Sequence, residues 1–321
     1  MKVLIGSTVM RLHESVPELS AQFPELQFEV CLDHNSLIEH ITNTDVYLGW
    51  LSQEAFLAAK NLKWIQSPSS GTNHYLTIPE LVESDVLLTS ASGTHGACLA
   101  ESTMGMIFAF TRGIRTCIQN QSTKRWDANR HVRSELKELT GSTMGIIGFG
   151  ATGRALAKRA FAFDMRIVAV DLYPKEKPEY IDHLWGLDRL GDLLQTSDYV
   201  VVMVPYTEQT QGMIGAEQLA KMKPTAMLVI MSRGGIVDQS ALVEALKSNK
   251  LAAAASDVFS PEPLPPDNEL WEIENMLITS HVAGGTQLEG QYAIQIFTEN
   301  LSRFINGNHG LKNLVHKKRG F

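Results

Sequence analysis

Three polar residues stand just beyond apolar, strand-length runs in the second half of the chain: Arg233 after AMLVIMS, Glu262 in the loop after AAAASDVF, and His281 after MLITS. In an open parallel sheet, ligands bind outside the carboxyl ends of the strands, so side chains at those ends have access to a substrate. Each residue alone has a structural explanation. An arginine beside Gly234 and Gly235 can solvate a turn, a glutamate flanked by prolines suits a surface loop, and a single histidine is more often structural than catalytic. Together they are chemically complete for one reaction. Hydride transfer to a ketone builds negative charge on the carbonyl oxygen, and histidine is suited to deliver a proton there near neutral pH. A neighbouring carboxylate favours the protonated imidazole. A guanidinium matches a substrate carboxylate with two parallel donors and can polarise the carbonyl. The expected catalytic set is therefore Arg233, Glu262 and His281, with Arg233 and His281 also touching the substrate.

A hydride needs a carrier, and the segment GFGATG at 148–153 has the context of a dinucleotide turn. It follows the apolar run MGII and precedes the helical pattern RALAKRAFAF. Gly148 permits the tight turn, Gly150 lets backbone approach a pyrophosphate, and Gly153 lets the helix pack close to the strand. Helix N-terminal amides then face the anion, so Ala151 and Thr152 join the expected cofactor contacts. Asp171 ends the next run, RIVAVD, where a carboxylate can bond the adenine ribose hydroxyls and repel a 2′-phosphate. That favours NAD over NADP, although Lys175 and Lys177 lie close by in sequence and pull the other way.

The elements that must position these residues are βα units. Runs at 2–6, 26–32, 45–50, 62–67 and 86–91, and again at 144–150, 166–171, 199–205, 226–233, 252–259 and 276–281, alternate with helical patterns. Near-continuous apolar strands suit parallel sheets buried on both faces. The predicted fold is α/β, with two doubly wound domains and a cleft between them. Residues 1–99 with 286–321 form a discontinuous first domain, because the helical tail after 287 is too short to fold alone, and residues 100–285 form the second. The polar stretch 112–139 reads as an arm.

Composition narrows the partners. A formal charge of −7 and a pI near 5.8 give no basic field for nucleic acid or anionic lipid. No apolar run reaches the roughly 18–20 residues that span a bilayer. The opening MKVLIGSTVMRLHESV reads as a native start in a cytoplasmic protein rather than a signal peptide. Cys31, Cys98 and Cys117 are scattered, suggesting neither disulfides nor a metal site.

The stretches ELTGSTMGIIGFGATG, VPYTEQTQGMIG, MSRGGIVDQSALVEAL, DVFSPEPLPPDNELWEIENMLITSHVAGGT and NLSRFINGNHGLKNLV resemble the D-isomer-specific 2-hydroxyacid dehydrogenases over nearly the whole chain. The resemblance implies a flavodoxin-like substrate domain, a Rossmann cofactor domain, and hydride exchange between NAD(H) and C2 of a small 2-keto or 2-hydroxy acid. It implies that Arg233 anchors the acid, Glu262 pairs with His281, and His281 is the general acid. Asp257 would hold the nicotinamide carboxamide. Val204, Pro205 and Thr210 would line the cofactor, as would Met231, Ser232, Arg233, His281 and Gly284. Ser70 and Gly71, in SPSSGTNHY, would meet the substrate carboxylate, and the arm at 112–139 would form a homodimer. The chain departs from the family at Asn73, Leu76, Ser90, Ile230 and Ser280, none of them a catalytic position. His95, in SASGTHG, is expected either near the pocket mouth or at a helix start. An alternative on the same fold is a protein that senses NAD(H) and recruits partners without turnover.

Overall fold

Short apolar runs assemble into two all-parallel sheets in this computed structural model, which describes residues 1–6, 10–126, 131–308 and 310–318. The chain divides into two units, Met1–His95 with Thr286–Phe321, and Gly96–Gly285.

In the first unit, strands β1 (Lys2–Gly6), β2 (Gln27–Cys31), β3 (Val46–Leu48), β4 (Trp64–Gln66) and β5 (Leu87–Thr89) pair in the order β2-β1-β3-β4-β5. The order reverses between β1 and β3, which is the switch point of a doubly wound sheet. The helix Glu289–Ile305 returns from the end of the chain to this unit. Its Ala293, Phe297 and Leu301 recur at helical spacing and bury against Val3, Ile5, Leu48 and Trp64. The Phe297 ring stacks on Trp64 with centroids 5.4 Å apart.

One polar residue sits on that apolar face. Asn300 is fully buried, and its amide donates to Gln66 Oε1 at 3.2 Å and to the Lys312 carbonyl at 3.0 Å. Its Oδ1 accepts the Lys312 N–H at 2.7 Å. Gln66 in turn accepts from Thr89, whose hydroxyl accepts from the Trp64 indole. The network satisfies its buried polar groups and ties the last segment to the centre of the sheet.

In the second unit, β6 (Thr143–Ile147), β7 (Arg166–Val170), β8 (His183–Trp185), β9 (Tyr199–Val202), β10 (Met227–Ile230), β11 (Ala253–Ser256) and β12 (Met276–Ile278) pair as β12-β11-β10-β9-β6-β7-β8. The switch point falls between β6 and β9. Side chains alternate between faces: Ile167 and Ala169 pack with the helices Gly96–Thr111 and Ala151–Phe161, whereas Val168 and Val170 pack with Leu193 and Leu194. Burial on both sides explains the near-continuous apolar runs.

Two boundaries differ from the expectation. The short edge strand β8 contains one exposed and two half-buried residues, so it carries no apolar signal. The division between units falls before Gly96 rather than after residue 99, because Gly96–Thr111 is a single helix whose first residue already packs on Ala151–Phe161. A Cβ on Gly96 would lie 3.3 Å from that of Ala155.

Asn300→Leu is expected to destabilise the first unit by about 2–4 kcal/mol, since it removes the side-chain partners of both the Lys312 N–H and the Lys312 carbonyl. Chemical denaturation followed by tryptophan fluorescence checks this; a change within about 0.5 kcal/mol would contradict it.

Candidate active site

The carboxyl ends of β6, β9, β10, β11 and β12 carry the polar residues of interest, all within the second unit. At β6 the chain turns through Gly148, whose φ of +98° is in a region that disfavours side chains. A Cβ there would lie 2.9 Å from the backbone of Met203 and Val204, so glycine lets the turn press against the loop after β9. Gly153 is equally constrained: a Cβ would lie 2.3 Å from the Gly148 carbonyl oxygen. Gly150 is different. A Cβ there would meet nothing within 4 Å, and the first amides of Ala151–Phe161, including those of Thr152 and Gly153, have no side-chain cap. An open backbone bend beside uncapped helix amides is what an anionic pyrophosphate requires.

Asp171 follows β7 and is half-buried. Its Oδ2 accepts the Phe149 N–H at 2.7 Å and its Oδ1 accepts the Tyr173 N–H at 2.9 Å, so the carboxylate braces the glycine turn. Lys177 bonds the Ile181 carbonyl at 2.8 Å instead of turning toward Asp171. In the loop after β9, Val204 is buried and Thr210 bonds the Pro205 carbonyl at 2.7 Å while accepting the Thr207 N–H at 2.8 Å, which fixes the turn.

The loop after β10 holds Met231, Ser232 and Arg233. Ser232 Oγ is buried without a hydrogen-bond partner, the one such side-chain atom among the described residues. Leaving a buried hydroxyl unmet costs about 1–3 kcal/mol, so it marks a place prepared for a ligand group. Arg233 Nη1 donates to the Ser232 carbonyl at 2.6 Å, and its other N–H groups carry no hydrogen bond to the described residues. Burial pushes the Arg233 pKa down, and the nearby charge of Glu262 opposes that shift. Gly234 brings the two loops together: a Cβ would lie 1.8 Å from the Phe259 carbonyl oxygen, so only glycine allows this approach.

Glu262 is anchored at one oxygen and used at the other. Oε1 accepts the Phe259 N–H at 2.8 Å, and Oε2 pairs with His281 Nδ1 at 2.7 Å. His281 occupies the left-handed region at φ +55°, a conformation that non-glycine residues adopt at a cost. Its loop is held from two directions. Asp257, at the end of β11 and 1% exposed, accepts the Val282 N–H at Oδ1 and the Ala283 N–H at Oδ2, both at 2.9 Å. Thr279 donates to the same Oδ1 at 2.5 Å. From the helix Gly96–Thr111, Cys98 Sγ and Ser102 Oγ donate to the carbonyls of Gly284 and Ala283, each at 3.2 Å.

Asp257 is therefore a loop clamp, whereas sequence reasoning gave it only a cofactor contact. Cys98, Ser102 and Thr279 were missed altogether, because hydrogen bonds to backbone leave no motif. Among the described residues no three His, Cys, Asp or Glu side chains group to hold a metal ion. Ser70 and Gly71 lie in the first unit, in the loop after β4: Ser69 Oγ donates to the Gly71 carbonyl at 3.0 Å and Ser70 Oγ to that of Ala91 at 3.1 Å.

The residues fit a dinucleotide in three respects: the open bend at Gly150, the uncapped helix amides and the unmet Ser232 hydroxyl. The family description "D-isomer specific 2-hydroxyacid dehydrogenase, NAD binding domain" matches residues 104–283. A glyoxylate reductase of Thermofilum pendens is 36% identical over 277 residues, covering 84% of this chain and 81% of that protein. A D-3-phosphoglycerate dehydrogenase of Methanocaldococcus jannaschii is 32% identical over 301 residues, 92% of this chain but 56% of that protein, so the chain spans about half of that relative's length. Among solved structures, a D-isomer specific 2-hydroxyacid dehydrogenase of Xanthobacter autotrophicus Py2, crystallised with NADPH and MES, superposes with a TM-score of 0.85 at 26% identity, covering 100% of this chain and 99% of that one. Fold, site and relatives agree: the chain belongs to the D-isomer specific 2-hydroxyacid dehydrogenase family.

Proposed function

We propose that the protein interconverts a small 2-keto acid and the corresponding D-2-hydroxy acid, with NAD(H) as the hydride carrier. The observation that carries this reading is the Glu262–His281 pair at 2.7 Å on the same loop system as Arg233. When bound, the nicotinamide supplies or accepts the hydride. The protein's part is to hold the acid and move one proton. His281 commits Nδ1 to Glu262, which leaves Nε2 to give a proton to the carbonyl oxygen in reduction and to take it back in oxidation. Glu262 fixes the orientation of the ring. Arg233, which spends Nη1 on the Ser232 carbonyl and has further N–H groups without a hydrogen bond among the described residues, takes the substrate carboxylate. Ser70 and Gly71 enter the proposal on the family resemblance alone.

Asp171 supports NAD over NADP, because its charge stands at the end of β7, where a 2′-phosphate would be repelled. Asp257, Val204, Pro205, Thr210, Met231 and Gly284 form the remaining proposed cofactor wall. Small acids such as glyoxylate, the substrate in the Thermofilum pendens relative's name, fit this reading better than a phosphorylated acid, since the segment SPSSGTNHY carries no lysine or arginine to pair a phosphate. The complete Arg233, Glu262 and His281 set favours turnover over sensing.

A homodimer through the arm completes the proposal. The helix Ile114–Ser122 exposes Ile114 and Ile118, and Trp126 beyond it is 90% exposed; residues 127–130 of the arm lie outside the described residues. Such apolar side chains suit burial by a second copy.

Loss of reduced cofactor, followed over a panel of 2-keto acids with NADH and NADPH, is expected to show turnover of a small acid with NADH preferred. His281→Ala is expected to lower that turnover by about 10²–10⁴ with NADH binding kept; no turnover on any acid, or an unimpaired variant, would contradict the reading. Sedimentation equilibrium is expected to return the mass of two chains, and a monomer at micromolar concentration would exclude the dimer.

A further inference from the structure

The loop that carries Glu262 has little with which to hold itself. Of Ser260, Pro261, Glu262 and Pro263, the two prolines have no backbone N–H, so the segment has few means of pairing with neighbouring backbone. All four residues are exposed, whereas Phe259 before them is buried, so apolar packing stops one residue short. A side chain from another element grips the segment instead. Gln239 Nε2 donates to the Ser260 carbonyl at 2.8 Å, and the Ser260 N–H donates to Gln239 Oε1 at 3.0 Å. One amide thus meets both backbone groups of Ser260, as a neighbouring strand would.

The direction of these bonds is fixed. A backbone N–H only donates and a carbonyl only accepts, so the amide turned over would set N–H against N–H and oxygen against oxygen. Gln239 itself stands on ordered backbone. It is the first residue of the helix Gln239–Lys247, whose N-cap Asp238 accepts the Ala241 N–H at 3.1 Å. Just before it, Val237 is buried and bridges Ile214, and the Asp238 N–H donates to the Ile214 carbonyl at 3.0 Å. The segment 233–239 therefore begins at Arg233 and touches the glutamate loop twice, through the close approach of Gly234 to Phe259 and through the Gln239 bonds. Ser260 lies between Glu262 and Phe259, the residue whose N–H anchors Glu262 Oε1.

We infer that Gln239 is a positioning residue for the reaction: by clamping Ser260 it holds the turn on which Glu262 meets His281. The inference rests on the proposed roles of Glu262 and His281, and every contact it uses lies in the second unit. A proton donor whose support shifts by a fraction of an ångström loses rate with its own chemistry intact. The clamp therefore acts on the chemical step. Arg233 keeps its place through Gly234, and the glycine turn at 148–153 is not part of the contact, so binding of acid and cofactor stands apart from it.

The test is the single-turnover rate of NADH oxidation with the fastest 2-keto acid of the panel, together with half-saturation by the acid, the NADH Kd and the melting temperature. Gln239→Met, which keeps the volume and loses both bonds, is expected to lower the rate about tenfold, a part of the roughly 10²–10⁴ that a general acid supplies. Half-saturation and the NADH Kd are expected to stay within about twofold, and the melting temperature within about 4 °C. Gln239→Glu has the same shape but turns a carboxylate oxygen to the Ser260 carbonyl, and it is expected to be as slow. Glu262→Ala is expected to be slower still, and adding Gln239→Met to it to cost nothing more, as for two groups acting through one contact. A wild-type rate in either Gln239 variant overturns the positioning role while the proposed function stands. Losses that multiply in the double variant assign Gln239 to the framework and overturn it too. If Glu262→Ala is as fast as the wild type, the proposed role of Glu262 falls and this inference with it; if no acid of the panel is turned over, the reaction itself falls and takes both with it.

Discussion

An imidazole can serve as a directional proton donor only if one of its nitrogens is held and the other is left to face the substrate. In the second unit that condition depends on the bond between His281 Nδ1 and Glu262 Oε2. A glutamate on a loop would gain little from a half-exposed partner, since screening and side-chain entropy erode such pairs. Here the other carboxylate oxygen is already fixed by the Phe259 N–H, so much of the ordering is done by the backbone. The backbone is fixed in turn because Gly234 lets the loop after β10 lie directly on Phe259 and Ser260. Arg233 is the next residue back along that loop. The proposed acid-binding cation, Arg233, and the carboxylate that orients His281 are thereby referenced to one close backbone approach.

The histidine loop has its own restraint. Its left-handed residue is costly unless surrounding contacts over-determine it, and Asp257, Thr279, Cys98 and Ser102 supply those contacts. A buried carboxylate satisfied by two backbone amides and a hydroxyl is a strong clamp, because losing any of these bonds would leave charge unsolvated. The site is thus built from strand ends that the sheet brings together and loops that hydrogen bonds hold in register.

Much of this was legible in the sequence. Near-continuous apolar runs gave the strands, GFGATG with Asp171 gave the glycine turn, and strand-end position singled out Arg233, Glu262 and His281. What stayed hidden has physical causes. Strand β8 is three residues at a sheet edge, so no burial pattern marks it. The helix Gly96–Thr111 is apolar on most sides, and amphipathicity could not say which unit it joins. Asn300 looks like a misplaced polar residue until its three hydrogen bonds are seen. The Asp257 clamp arises from backbone and long-range contacts that residue spacing does not encode.

The central claim is that His281 presents Nε2 to the substrate oxygen while Glu262 holds Nδ1. A crystal structure with NADH and oxamate, a 2-keto acid analogue that resists reduction, tests it most directly. The expected result is His281 Nε2 within about 2.6–3.2 Å of the analogue's carbonyl oxygen, with its carboxylate on Arg233. An analogue bound elsewhere, or an imidazole turned away from it with the Glu262 bond broken, would contradict the account.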